Sequence, residues 1–273
     1  MTDTPESTER SLSFLAAAAW TLIVAVLFGA MIAGLEALHP GAVADVVTIA
    51  TCKLLAYSLV FFAILRVHER ESPIRQVLAL RRPPAIMVLL GGLIGAGLSP
   101  GAMWLNGLFA RRFPPLPQEI EELERIYSAE SVGKKMALVL ALMVVIPACD
   151  ELFFRGALFT PLKKGRRAES VILATAAYDT LLVGPSTREL ASMLAAALVI
   201  AWIRAVSGSV FPSIAARVAF FGVQVVPLVI TRELRLSGPI ALGGAALAVA
   251  SLAGVAAIGK RSARVLAARL EDG

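Results

Sequence analysis

Seven ionisable residues lie in stretches of this chain that are otherwise apolar: Asp45, Lys53, Asp150, Glu151, Arg155, Asp179 and Arg217. Four are acids and three are bases, so they can nearly neutralise one another. The segment ACDELFFRGALFTPL, residues 148–162, concentrates three of them. Two adjacent carboxylates, Asp150 and Glu151, in an apolar helix are hard to explain by packing alone. Glu151 and Arg155 stand four residues apart with the acid first, the spacing and order of a helical ion pair. If Arg155 engages one carboxylate, the other is left desolvated, the setting of a general acid or base. Phe153 and Phe154 follow directly and are expected to line a groove that excludes water or grips an apolar substrate. Charges at membrane depth are costly and mark function by default. The competing account is that they neutralise one another and hold helices together. For Asp45 and Lys53, about two turns apart, that helix-holding role is the expectation.

The elements that must position these groups are membrane spans. The chain has 273 residues, of which 58% are apolar and only 17% charged. Its mean hydropathy is +0.77. A soluble domain carries about 25% charged residues. The figures exclude a disordered chain and, despite a net charge of +6, a nucleic-acid binder. Two cysteines, Cys52 and Cys149, make no disulfide scaffold and read as small buried residues. A bilayer core needs about 20 apolar residues of helix. Eight stretches come close: Phe14–Leu35, Ala42–Leu65, Ala85–Ala110, Met136–Phe159, Ser170–Gly184, Leu190–Val206, Val210–Ile230 and Ile240–Ile258. The fifth and sixth are short. No window alternates in the barrel manner, so the expected class is an all-α integral membrane bundle of about eight helices. Pro100 and Gly101 predict a kink or break in the third span. The leading segment MTDTPESTERS is acidic, so the first span is read as permanent and not as a signal peptide.

With the N-terminus inside, the inner segments, Arg204 among them, carry fifteen Lys and Arg against eight outside, which favours both termini in the cytoplasm of a bacterial-type inner membrane. Between the third and fourth spans, Pro117–Ser128 places Ile120, Leu123 and Ile126–Tyr127 at helical spacing with glutamates on the other face. This predicts a short amphipathic helix on the membrane surface. The basic run KKGRR at 163–167 reads as an anchor on anionic membrane lipid.

The run Asp150-Glu151-Leu152-Phe153-Phe154-Arg155-Gly156 resembles the Glu-Glu-x-x-x-Arg motif of the CPBP family, the CAAX-protease and bacteriocin-processing membrane proteins. The segment SGSVFPSIAARVAFFG, 207–222, is similar to the family's late helix. The resemblance spans roughly 117–230 and implies a CAAX-protease-like bundle and endopeptidase chemistry on membrane-embedded or lipidated peptides. It implies acid–base roles for Glu151 and Asp150 and an orienting role for Arg155. It also implies a substrate groove with Phe153, Phe154, Tyr178 and Phe221. The departures are large. Asp150 replaces the leading glutamate. By distance along the motifs, Asp179 and Arg217 occupy the positions of the two family histidines, and Phe221 that of an Asn or Asp. In the family the glutamate and histidines activate water and stabilise the oxyanion. This chain's two histidines, His39 and His68, lie in early loops outside the matched region. Arg217 cannot accept a proton, although it can donate to an oxyanion.

The resulting division is a cytoplasmic tail at 1–13, N-terminal spans at 14–116, a CPBP-like core at 117–230, and a last span with a basic cytoplasmic tail at 231–273. Other schemes fit less well. There is no His-Glu-x-x-His zinc helix and no span holding a histidine for a serine nucleophile. A second aspartate after Tyr178-Asp179 is absent until Asp272. No metal is expected, because carboxylates beside arginine suit hard cations at best, and no cofactor is expected. The readings left open are an impaired protease or pseudoenzyme, a scaffold that serves a partner protease, and a small membrane carrier.

Overall fold

The structure is a computed structural model that describes residues 12–42, 45–127, 131–183, 186–231 and 238–271. The expected tail at 1–13 lies outside the described residues except for its last two. Among the described residues every regular element is a helix. In chain order these are α1 (Phe14–Leu38), α2 (Val46–His68), α3 (Ile74–Val77), α4 (Ala85–Arg112), α5 (Pro117–Tyr127), α6 (Val132–Lys163), α7 (Ala168–Val183), α8 (Leu190–Ser207), α9 (Phe211–Thr231) and α10 (Gly238–Glu271).

Seven of them are long and apolar enough to cross a membrane: α1, α2, α4, α6, α8, α9 and the Gly238–Arg261 part of α10. The chain is an all-α integral membrane bundle. The expected fifth span forms as α7, but its 16 residues reach only about 24 Å. That is short of a bilayer core of about 30 Å. Of the kink or break expected at Pro100, the break does not occur, because α4 runs continuously from Ala85 to Arg112. Helices of a bundle tolerate an internal proline where neighbours pack against the exposed backbone. Here the Pro100 ring faces Gly244 of α10.

Helix starts follow local capping chemistry. Ser13 accepts from the Ala16 N–H ahead of α1, and Ser131 from the Lys134 N–H ahead of α6. Asp45, read from sequence as a charge inside a span, is instead the exposed N-cap of α2. Its carboxylate accepts from the Val47 and Thr48 N–H groups and from the Thr48 hydroxyl. A short acceptor is worth most where the first-turn donors have no helical partner. Asp45 therefore has no place in the buried charge network.

Three helices form the packed centre opposite α1 and α2. α4 lies closely against α9 and α10. A Cβ on Gly95 would overlap the Ala216 carbonyl of α9, and one on Gly97 would overlap the Gly244 carbonyl of α10. Small residues at these contacts let backbones approach, which is how helices associate where lipid removes the hydrophobic incentive. On the other side, α1, α2, α6 and α7 enclose a core built on Tyr57, Val60, Ile64, Phe153, Phe154, Leu158 and Phe159.

α6 is not a regular helix. It widens to a π-helix at Ala141–Val145 and again at Leu152–Leu158, on either side of the α-helical turn Ile146–Glu151. Pro147 supplies no N–H to the preceding turn, which disfavours a regular ladder there. π segments inside helices are frequent at functional sites. The two in α6 bracket the acidic pair.

Candidate functional site

Asp150 and Glu151 lie on the α-helical turn of α6, and Arg155 in the π segment that follows. Adjacent residues on a helix point about 100° apart, so the two carboxylates meet different neighbours. Asp150 faces α2, where Lys53 Nζ stands 2.7 Å from its Oδ1. Glu151 faces α9, where Arg217 Nε stands 2.7 Å from its Oε1. Arg217 also reaches Asp150 Oδ2 at 3.6 Å. Asp179, from α7, is gripped by both guanidinium groups, with Arg155 and Arg217 each donating to its Oδ2. Arg155 completes the ring at 3.5 Å from Glu151 Oε1 and donates to the Ala197 carbonyl of α8 at 2.9 Å.

Three helices, α6, α7 and α9, thus bring together every one of the five residues assigned from sequence as the chemical centre: Asp150, Glu151, Arg155, Asp179 and Arg217. All are buried, the first three completely. Lys53 joins them as a sixth member. The expected helix-holding role fits Lys53, which ties α2 to α6 by pairing with Asp150, ninety-seven positions away. Its ammonium also sits 5.1 Å from the Tyr57 ring. The group totals three carboxylates and three cations.

Arg204 is a residue that sequence reasoning misplaced. Its position at the end of a span reads as a loop charge, but α8 carries it into the bundle, where it is 6% exposed. Its Nε donates to the Arg155 carbonyl at 2.9 Å and its Nη2 to the Thr160 hydroxyl at 3.1 Å. It therefore braces the π segment that holds Arg155. The available signal was a lone arginine one turn before Gly208, whose left-handed backbone (φ 65°) ends α8.

The aromatic residues assigned to a groove separate into two groups. Phe153 and Phe154 are buried in the α1–α2–α6–α7 core, where Phe153 packs on Tyr57 at 5.1 Å between ring centres. Tyr178 packs at the edge of the same core and donates to the Phe14 carbonyl at 2.9 Å. Phe221 is half-buried and lines two cavities. One is a void of about 10 Å³ bounded by Asp179, Arg217 and Met193, the size of a single water. The other is a cavity of about 870 Å³ between α5, α6, the start of α8, and α9. Met193 and Phe221 belong to both walls, so these two side chains separate the large cavity from the charge centre.

Amphipathic α5 forms the outer wall of the large cavity. Ile120, Leu123 and Tyr127 face it, as the helical spacing of these residues predicts. Arg188, just ahead of α8, reaches α5 through Glu119, with Nη2 2.6 Å from Oε2. That bond and the Leu116 N–H hold the Glu119 carboxyl below the usual glutamate range. Burial pushes neighbouring Glu189 the other way, upward, against the pull of Arg188.

Neither histidine reaches the centre. His68 accepts a hydrogen bond from the Trp20 indole at 3.1 Å. It lies fifteen residues beyond Lys53 on α2, about 22 Å along the helix. His39 follows the far end of α1.

Chemically, the centre offers acceptors and cations but no neutral base of the imidazole type. An ionised carboxylate only accepts, and guanidinium only donates. The carboxylate oxygens of the centre with neither a hydrogen bond nor an ion-pair contact to a described residue are Glu151 Oε2 and Asp179 Oδ1. No curated protein and no solved structure matches the chain. A family model described as Rce1-like, type II CAAX prenyl endopeptidase Rce1-like, matches residues 132–222, a third of the length. That stretch begins with α6 and ends one residue after Phe221, so it contains Asp150, Glu151, Arg155, Asp179 and Arg217. It is the same region whose acidic run resembles the CPBP motif, and residues 132–222 accordingly form the CAAX-protease-like segment of this membrane protein.

Proposed function

We propose that this chain binds membrane-embedded or lipidated peptide segments within a CAAX-protease-like fold, with catalysis impaired or lost. The observation that carries the reading is the composition of the charge centre. Three carboxylates meet three cations in ion-pair distance, with Asp179 and Arg217 where the family motif has histidines. In a working site a carboxylate must be free to take a proton from water, and a neutral imidazole serves near pH 7. Here Asp150 is engaged by Lys53, Glu151 by Arg217, and Asp179 by two guanidinium groups. In this reading Glu151 and Asp150 retain the acid–base positions and Arg155 orients them. Asp179 and Arg217 convert the old histidine positions into a neutral lock. Phe221 closes the substrate groove toward the centre, while Phe153, Phe154 and Tyr178 back it from the core.

The core of this activity is 117–230, flanked by the spans at 14–116 and the last span at 231–273. We place the protein in a bacterial-type inner membrane with α5 on the membrane surface and both termini cytoplasmic, a topology in which short α7 crosses as the eighth span where the bilayer thins around it. The excess of Lys and Arg on the inner loops supports that orientation even without Arg204. A protein that holds such peptides without cutting them is suited to present them to a partner protease.

The test is a cleavage and capture assay on purified protein in nanodiscs, using a prenylated peptide that ends in a CAAX sequence. The expected result is peptide capture with no product from wild type, and unchanged capture by Glu151→Gln. Product formation by wild type that Glu151→Gln abolishes overturns the loss of catalysis. Absence of capture by either protein overturns the binding role.

A further inference from the structure

The large cavity beneath α5 has an uneven chemical lining that specifies what it takes. Its volume of about 870 Å³ falls in the range of ligand sites, roughly 300–1,000 Å³. Most of the wall is apolar, from Ile120 and Leu123 of α5 to Leu228 of α9. Two carboxylates line it, Glu189 at the start of α8 and Glu124 on α5 at the exposed rim, and no lysine or arginine does. Arg188 forms its ion pair with Glu119 and acts on Glu189 only through space, where burial outweighs it. Neither Glu124 nor Glu189 makes a salt bridge to a described residue, and Glu189 is half-buried. An apolar cavity whose acids lack an ion-pair partner among the described residues favours a cation.

Gln224 adds a second, independent feature. Its Nε2 is buried, donates to no described residue, and belongs to a side chain in the same wall. A buried donor without an acceptor is unfavourable until one arrives. A main-chain carbonyl of an extended peptide is such an acceptor. An acyl chain alone supplies neither the cation nor the carbonyl.

We propose that this cavity binds a peptide segment carrying a lysine or arginine beside apolar residues. The cation meets Glu189 and Glu124, and a peptide carbonyl accepts from Gln224 Nε2. The inference rests on the reading that the chain binds membrane-embedded peptides, and it names which of them. The apolar side chains lie along Ile120, Leu123 and Leu228, and the bound segment ends against Met193 and Phe221, one side-chain layer from the charge centre.

The test uses full-length protein in phosphatidylcholine nanodiscs, whose lipid carries no net charge. The probes are three short leucine–alanine peptides with one photo-crosslinking leucine. They differ at one central position, which is lysine, glutamine or glutamate. Crosslinked sites are mapped by mass spectrometry. The expected result is labelling within 115–127 and 221–228 by the lysine peptide, about tenfold above the glutamate peptide. Glu189→Gln combined with Glu124→Gln brings the lysine peptide down to the glutamine level. Gln224→Leu lowers the yield of all three peptides while the preference for lysine remains. Equal labelling of the cavity by all three peptides overturns the inference. So does labelling confined to other surfaces, which leaves peptide binding intact. No labelling anywhere overturns the parent reading as well. The wild-type peptide series decides the question even if a variant fails to fold.

Discussion

Removing Asp179 and Arg217 together should cost no more than removing either one, and far less than the sum of the two. Asp179→Asn leaves the centre with Asp150 and Glu151 against Lys53, Arg155 and Arg217, an uncompensated positive charge at a site 1% exposed. Arg217→Met leaves three carboxylates against two cations at a site 5% exposed. Breaking one side of a buried ion pair costs about 3–5 kcal/mol, mainly because the surviving charge is stranded. Each stranded charge here keeps a partial partner, so the lower end applies, ~3 kcal/mol for each single variant. The double variant strands nothing. Lys53 still pairs with Asp150 at 2.7 Å, and Arg155 still stands 3.5 Å from Glu151. The cost of the pair of changes is then ~3 kcal/mol in place of the additive ~6, a coupling of ~3 kcal/mol. The assay is denaturant or thermal unfolding of all four proteins in one detergent, run as a double-mutant cycle. If the double variant loses the sum of the two singles, the centre is not a mutually neutralising lock.

Three further outcomes follow from separate parts of the structure. Gly95→Leu should abolish the folded monomer on size exclusion, because its side chain overlaps the Ala216 carbonyl, whereas the same change at Gly92, which has open space beside it, should be tolerated. Arg204→Met takes donors from the Arg155 carbonyl and the Thr160 hydroxyl, and should cost about 1–3 kcal/mol in the same unfolding assay. The Glu119 carboxyl is held below its ordinary range by Arg188 and the Leu116 N–H, so its tether on α5 is complete above the ordinary glutamate pKa and is lost as pH falls through the lowered value. A spin label on Glu121→Cys should therefore gain mobility on acidification in wild type and show no such transition with Glu119→Gln.

How much of this was legible in the sequence depends on how far each contact lies along the chain. Seven of the eight expected spans were, because bilayer thickness sets a length that hydropathy reports directly, whereas the fifth forms the short α7. Their ends moved by several residues where capping decided them: Asp45 belongs to a helix start, and its short side chain reaches the Val47 and Thr48 N–H groups. The five central charges were legible through motif spacing, which carries three-dimensional information that no single helix contains. Lys53 was not, since nothing on α2 indicates that Asp150 will face it. Arg204 was misplaced for a related reason. A charge near a span's end reads as a loop charge unless one knows that the carbonyl of a π segment on α6 comes to meet it. Phe153 and Phe154 carry no mark that separates a core aromatic from a groove aromatic; α1 and α2 decide that by covering them.

The most direct measurement of the central claim is proteolysis by Asp179→His/Arg217→His beside wild type, on the same peptide in the same nanodiscs. The exchange removes one acid and one cation, so the remaining Asp150, Glu151, Lys53 and Arg155 stay balanced and the fold should survive. It also places imidazoles where the family motif has them and frees Glu151 from Arg217. The account predicts product from the double-histidine protein and none from wild type. Efficient cleavage by wild type, with no gain from the two histidines, would contradict it.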